Sequence, residues 1–377
     1  MLKRIYLDNY KCMVNFEFAP GNLQPMFGLN GSGKTSVFEA LQALRDFVWS
    51  GMESNLAFPS STLTRWDNRD RQTFEIDVST RRGEFEYSLE LSHDLNVFSS
   101  VVKKEILKHD GKTVFASENG QAFFTSQSGT QPQPIPVNVS RSTLGFLAQG
   151  DTPIAWFKNW LSGIYFLKLV PSLIGSRSEE DHFLLDPTGS NFSSWYRHFS
   201  LESPGRALQL TKDLQEVIDG FSELSALAYD ISSEGRVVRA LNAKMRIQDN
   251  IGIGGPMEVS FPMHELSDGQ RVLIVLYSVL RSLQGTDSTL CLDEPANYVA
   301  LSEIQPYLLE LRDAIGAGPS QALVISHHPE VIDYFAPENA TMFERDCGGP
   351  VRIRPFNVDP GQGLKASELV ARGWDDE

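Results

Sequence analysis

The sequence predicts a mixed α/β fold: a sheet built around a phosphate-binding loop, an antiparallel β subdomain and a mainly helical second lobe, with no long coiled coil. Three observations carry that expectation. Gly28-Leu29-Asn30-Gly31-Ser32-Gly33-Lys34-Thr35 fits G-x-x-x-x-G-K-[ST] at every fixed position. Residues 74–91 alternate apolar and polar side chains with a period of two. Residues 266–345 alternate apolar helical segments with short runs of buried type, the pattern of a layered parallel sheet.

The elements follow in order. Ile5, Leu7, Phe16 and Phe18 mark short strands before the loop. Val37, Leu41, Leu44 and Val48 form the apolar stripe of a helix after it. A helix starting there points its free N–H groups and positive dipole end at bound phosphate. Glycines let the backbone approach closely, Lys34 reaches the outer phosphates and the Thr35 hydroxyl ligates Mg²⁺. A nucleoside triphosphate site is therefore expected at Gly28, Asn30, Gly31, Ser32, Gly33, Lys34, Thr35 and Ser36.

From about residue 70, Phe74, Ile76 and Val78, then Phe85, Tyr87, Leu89 and Leu91, predict a half-buried hairpin around Arg82-Gly83. Segments 101–107 and 112–115 continue it, and 125–136, rich in Ser, Gln, Gly and Pro, reads as an exposed loop. From about 150 the chain is expected to be mainly helical, with Trp156, Trp160, Phe166 and Trp195 in its core. Within this section an amphipathic helix is expected over 205–228 and a strand pair at 237–245 and 257–261. The boundaries read as 1–150 for the first lobe, 151–265 for the second, and 266–377 for the return to the sheet, ending in an acidic tail.

Three later segments define the kind of site. Leu266-Ser267-Asp268-Gly269-Gln270 opens a helix carrying Val272, Leu273, Val275, Leu276, Val279, Leu280 and Leu283. Leu290-Cys291-Leu292-Asp293-Glu294-Pro295 is an apolar run closed by two acids. Leu323-Val324-Ile325-Ser326-His327-His328 is another such run with polar groups at its end. Singly each is weak, since Ser267 also reads as a helix cap and Asp-Glu as a solvated strand end. In this order behind a phosphate loop, they resemble the ATP-binding-cassette ATPases. The opening strands, Asn30 to Thr35 and Asp268-Gly269-Gln270 resemble the SMC and RecF-like branch. Its compact members include the OLD-type (AAA family) ATPases of bacterial defence and repair loci.

The resemblance implies ATP and Mg²⁺ as cofactors, and roles for these residues. Thr35 would contact the metal and Asp293 orient it through its water shell. Glu294 would polarise the attacking water, and His327 would contact the γ-phosphate, with His328 a rival one position on. Lys34, Glu294 and His327 form the catalytic set. Ser267, Asp268, Gly269 and Gln270 would close over nucleotide held by a second subunit, so the resemblance implies a homodimer with ATP sandwiched between heads. Asn297, in the D-loop position, either crosses that interface or caps the following turn. For the Q-loop, Gln149 suits the SMC-like order, whereas Gln72 lies nearer the spacing of transporter cassettes.

Composition narrows the partners. Forty-eight acidic against 33 basic residues give a formal charge of −15, which opposes sequence-independent DNA binding. Three cysteines are too few and scattered for a disulfide framework and fit a reducing cytoplasm. No leader pattern and no apolar run of bilayer length is present, so no membrane partner is expected. OLD-type nucleases carry a Toprim domain after the ATPase, whereas only about fifty residues follow His327, short of a typical domain. The expectation is a dimeric ATP-gated switch acting on a separate effector such as a nuclease, with a RecF-like DNA-binding repair ATPase as the alternative.

Overall fold

The computed structural model describes residues 1–124, 134–147, 150–231, 236–247, 257–356 and 364–372. The chain opens with an antiparallel pair, β1 (Leu2–Asp8) and β2 (Phe16–Phe18). β3 (Leu23–Phe27) then enters a different sheet and runs through the phosphate loop into α1 (Lys34–Trp49). The stripe Val37, Leu41, Leu44 and Val48 is buried, as its spacing requires. After the short α2 (Ser54–Ala57) comes a meander of β4 (Arg71–Thr80), β5 (Gly83–Asp94), β6 (Ser99–His109), β7 (Lys112–Glu118), β8 (Gln121–Phe124) and β9 (Ile135–Pro136). It extends β1 and β2 into an eight-stranded sheet, order β2-β1-β4-β5-β6-β7-β8-β9. Phe74 faces Leu89 and Ile76 faces Tyr87 across β4 and β5, so the period-two residues line one buried face. Of the exposed loop expected at 125–136, residues 125–133 lie outside the described residues.

Next come α3 (Leu144–Leu147), α4 (Pro153–Ser162) and β10 (Ile164–Leu167). Pro153 sits in the first turn of α4, and the Thr152 hydroxyl caps it by accepting the Ala155 N–H at 3.3 Å. Beyond β11 (Arg177–Ser178) lie α5 (Phe192–Glu202), α6 (Pro204–Val217), β12 (Phe221–Ile231), β13 (Val237–Ile247) and β14 (Met257–Pro262). The single helix expected over 205–228 is thus half helix and half strand. Leu210 and Leu214, one turn apart, bury the face of α6. From Phe221 the chain pairs antiparallel with β13, and this pairing decides a stretch (Ser225, Ala226, Ala228) whose small side chains fit either period. The mainly helical section therefore also carries a four-stranded sheet, β11-β13-β12 with β14 on β13.

The chain closes with α7 (Asp268–Leu283), β15 (Thr289–Asp293), α8 (Leu301–Gly316), β16 (Gln321–Ile325), α9 (Pro329–Phe335), β17 (Thr341–Glu344), β18 (Arg352–Pro355) and α10 (Ala366–Arg372). The second large sheet runs β10-β15-β16-β3-β17-β18, every neighbouring pair parallel except β17 with β18. The central strands β15 and β16 are buried on both faces, which explains their apolar runs. Cys291, Leu323 and Ile325 join the core beneath α1 and the eight-stranded sheet. Leu290, Leu292, Ala322 and Val324, the alternate positions, join the core of α7 and α8. Among the described residues no helix is long and apolar enough to cross a membrane.

One buried acid gives the fold a pH dependence. Glu105 on β6 is fully buried, and its carboxylate accepts the Tyr87 hydroxyl at 2.9 Å, the Ser142 hydroxyl at 2.5 Å and the Thr143 N–H at 3.3 Å. Burial pushes its pKa up to about 7 despite those donors. The folded state then holds a proton that the unfolded chain releases above the ordinary glutamate value, so stability falls as pH rises from about 4.5 to about 7 and levels off above that. The expected loss is about 3 kcal/mol. Urea unfolding at a series of pH values should show this slope, and Glu105→Gln should flatten it.

Candidate functional site

Strand register assembles the site. Leu167 pairs with Leu292, Asp293 with Ile325, and Ile325 with Met26. Four parallel strands therefore end in line, presenting Lys168 after β10, Asp293 and Glu294 at β15, Ser326 and His327 after β16, and Gly28 after β3. The carboxyl ends of such strands are where open α/β sheets place ligands.

The phosphate loop is held tightly by its neighbours. Gly28 has φ +136°, and a Cβ there would lie 2.2 Å from the Phe343 carbonyl oxygen. Gly33, at φ +98°, would bring a Cβ within 2.6 Å of Val351 Cγ2 and 3.0 Å of Cys12 Sγ. Lys34 is 4% exposed, and its ammonium donates to Gly28 O at 2.6 Å, Leu29 O at 2.9 Å and Ser32 Oγ at 3.2 Å. Burial lowers its pKa to about 8, with Glu294 and Asp293 pulling the other way. Asn30 and Gly31 are exposed, and Ser36 lies in the first turn of α1 with its N–H donating to Gly33 O at 3.0 Å.

The two acids have different surroundings. Asp293 is buried, and its Oδ2 accepts the Thr35 hydroxyl at 3.1 Å. Glu294 is held at φ +57°, a left-handed conformation costing a non-glycine residue about 1–2 kcal/mol. Its N–H donates to Ile325 O at 2.9 Å, and its Oε2 accepts the Ser326 hydroxyl and the His327 N–H, both at 3.1 Å. His327 Nε2 lies 3.7 Å from Glu294 Oε1, and burial together with the Lys34 charge lowers the imidazole pKa. His328 instead forms the N-cap position of α9, with its N–H donating to Ser326 Oγ at 3.0 Å. Of the two histidines, only His327 has its ring beside the acids in these contacts.

A divalent ion fits this chemistry. Among the described residues no cluster of three or more His, Cys, Asp or Glu could form an all-protein cage. A hydroxyl and a carboxylate oxygen 3.1 Å apart are the hard, sparse donors that Mg²⁺ uses when phosphates and water complete its shell.

The structure does not bring every expected residue to this cluster. Ser267 to Gln270 stand at the head of α7, where Ser267 Oγ accepts the Gln270 N–H at 3.2 Å and Gln270 Oε1 accepts the Ser267 N–H at 3.1 Å, a capping box. Asp268 accepts from Arg271, whose other arm donates to Pro171 O at 2.7 Å. A Cβ on Gly269 would lie 2.9 Å from Tyr298 O, so this helix end abuts the turn after Glu294. Among the described residues, no hydrogen bond or ion pair joins Ser267–Gln270 to the phosphate loop. Asn297 is exposed, and its N–H donates to Glu294 O at 3.2 Å, closing that turn. Gln149 lies outside the described residues. Gln72 is fully buried and donates to Asn9 O and Thr62 Oγ1, with His93 Nε2 2.9 Å from its Oε1, so it is committed to a packing network.

Three residues at the site escaped the sequence reading. Lys168 places its Nζ 3.1 Å from Asp293 Oδ2. Ser326 holds Glu294, as described. Arg345, after β17, donates to Gly31 O at 3.0 Å and lies over the Trp66 ring at 5.6 Å, bracing the exposed rim of the loop. For Lys168 a signal existed, because Ile164-Tyr165-Phe166-Leu167 is a short apolar run ending in a charge, the form of the two runs that were recognised.

Comparisons with known proteins bear on the fold and the family. A crystal structure of an SMC head bound to the C-winged helix domain of ScpA superposes with a TM-score of 0.55 at 12% identity, over 96% of this chain and 99% of that one. The SMC head domain from Thermotoga maritima overlaps at 0.47 and 13% identity, over 95% and 99%, too loosely to carry weight. The OLD nuclease of Thermus scotoductus is 33% identical over 54 residues, 14% of this chain and 10% of that protein's length. The match to the family described as "AAA domain, putative AbiEii toxin, Type IV TA system" covers residues 26–333, most of the chain, and this protein belongs to that family, with the fold of an SMC head.

Proposed function

We propose that this protein binds and hydrolyses ATP with Mg²⁺ as a dimeric switch, and that the switch governs a separate effector, a nuclease, in phage defence or DNA maintenance. One observation carries the reading: Lys34, Thr35, Asp293, Glu294 and His327 converge at the ends of adjacent strands, while Ser267 to Gln270 form a capped helix end that, among the described residues, makes no hydrogen bond or ion pair to them. The first group suits binding and cleavage of a triphosphate. The second suits closure over nucleotide on another copy.

The contacts support these roles. Lys34 and the loop amides hold the β- and γ-phosphates, and Thr35 and Asp293 hold the metal. Bound Mg²⁺ supplies charge neutralisation on the phosphate oxygens. Glu294, aimed by Ser326 and the His327 N–H, accepts a proton from the attacking water. His327, whose imidazole pKa is lowered by burial and by the Lys34 charge, donates to the γ-phosphate and senses its loss. Leu29, Tyr298 and Leu301 are 77%, 56% and 45% exposed around this face, apolar surface that a second head would cover. Shifting a population from roughly 1:99 to 99:1 closed takes about 5.5 kcal/mol. Several charge-assisted hydrogen bonds to each of two γ-phosphates, at about 1.5–3 kcal/mol apiece, reach that figure.

Ser267→Arg tests the arrangement. The bulk and charge face the partner's nucleotide, so ATP affinity of the single chain should stay within about twofold while ATP-driven dimerisation is lost. Equilibrium dialysis and sedimentation velocity separate the two effects. If nucleotide binding and dimerisation both survive, the signature has no role in trans.

The effector assignment rests on likeness to an OLD nuclease and to a family described as a putative AbiEii toxin of a type IV TA system. Metal-dependent DNA cleavage by the purified chain alone would contradict it. The net charge of −15 weighs against the RecF-like reading, which requires ATP-dependent DNA binding that weakens steeply with salt.

A further inference from the structure

Asp293 Oδ2 serves two partners. It accepts the Thr35 hydroxyl at 3.1 Å, and the Lys168 ammonium lies at the same distance from the same oxygen. The lysine reaches in from the end of β10, the edge strand of the sheet, where its own N–H is fixed on Pro187 O at 2.8 Å. Its side chain is 64% exposed, whereas that of Asp293 is 7% exposed. A largely solvated cation is thus held against a buried carboxylate oxygen that a metal would also use.

We infer that Lys168 competes with the divalent ion for Asp293, setting the metal affinity of the site and making stable metal loading depend on the nucleotide. The inference rests on the ATPase reading above. An exposed lysine pairs weakly enough with a carboxylate to be displaced, since the ammonium gives up little on returning to water. A bare Mg²⁺ ion gains only one or two protein oxygens here and must still work against the lysine. With a triphosphate in the loop, phosphate oxygens add to the metal's ligands and offer the ammonium other acceptors, so displacement becomes favourable. Lys34 cannot play this part, because its ammonium is enclosed and donates to loop atoms.

The experiment uses the full chain and Mn²⁺ as the metal probe, read by electron paramagnetic resonance without nucleotide, alongside calorimetric ATP binding with and without Mg²⁺. Lys168→Met keeps the apolar stem and removes the charge. It should tighten Mn²⁺ binding about two- to fivefold, the upper part of the range expected for losing one partly solvated ion pair. Lys168→Arg should stay within about twofold of wild type. In an Asp293→Asn background the Lys168→Met effect should vanish, since the shared oxygen no longer carries charge. Unchanged or weaker Mn²⁺ binding in Lys168→Met overturns the inference, as does a loss confined to ATP affinity, which would make Lys168 a phosphate ligand. Failure of the wild-type chain to take up ATP under any condition would defeat the ATPase reading itself, whereas normal ATP uptake with unchanged Mn²⁺ binding in Lys168→Met defeats only the competition.

Discussion

Glu294→Gln is expected to bind ATP with Mg²⁺ as tightly as the wild-type chain and to hydrolyse it about 10²–10⁴ times more slowly. The amide keeps the length of the side chain and an oxygen that can still accept the Ser326 hydroxyl and the His327 N–H. It cannot take a proton. Geometry is preserved while base strength is removed, so the loss should fall on kcat and leave KM close to wild type. Single-turnover hydrolysis against a filter-binding isotherm separates the two. Unchanged turnover would show that Glu294 only closes the turn after β15, and that its positive φ serves packing.

Lys34→Ala is expected to lose ATP binding by at least about 10²-fold, the largest effect on affinity in the molecule. The ammonium supplies charge-assisted hydrogen bonds to phosphate that no neighbour replaces, because Arg345 braces the loop from its carbonyl side at Gly31. The same substitution should cost little in folding. Lys34 carries its charge against burial, which is why its pKa falls to about 8, and removing that charge relieves the desolvation even as the three acceptors lose a donor. Thermal unfolding without nucleotide should therefore move by only a few degrees, with ATP protection abolished. A collapse of stability together with binding would mean that the lysine is chiefly structural.

What could be read from the sequence divides by range along the chain. The phosphate loop is local: eight consecutive residues specify its glycines, its lysine and its hydroxyl, and the strand and helix beside it have clear periods. β4 and β5 were equally legible, because one face is buried and the alternation is strict. The apolar runs of β15 and β16 were legible once their polar ends were taken as a pattern. β10 shares that form but was harder to read, because a four-residue strand has no period of its own and Phe166 reads as core in either state. Lys168 becomes part of the site only through the register of β10 on β15, a contact between segments more than a hundred residues apart. The helix expected beyond residue 217 failed for a related reason, since pairing with β13 overrides a weak local preference. Gln72 and Gln149 illustrate the limit of spacing arguments: one is locked in a buried network, and the other lies outside the described residues.

The central claim is that γ-phosphate joins two heads. Native mass spectrometry of Glu294→Gln protein, first with ATP and Mg²⁺ and then with ADP and Mg²⁺, tests it most directly. A dimer carrying two ATP molecules is expected in the first condition and a monomer in the second. A chain that binds ATP yet remains monomeric in both would contradict it.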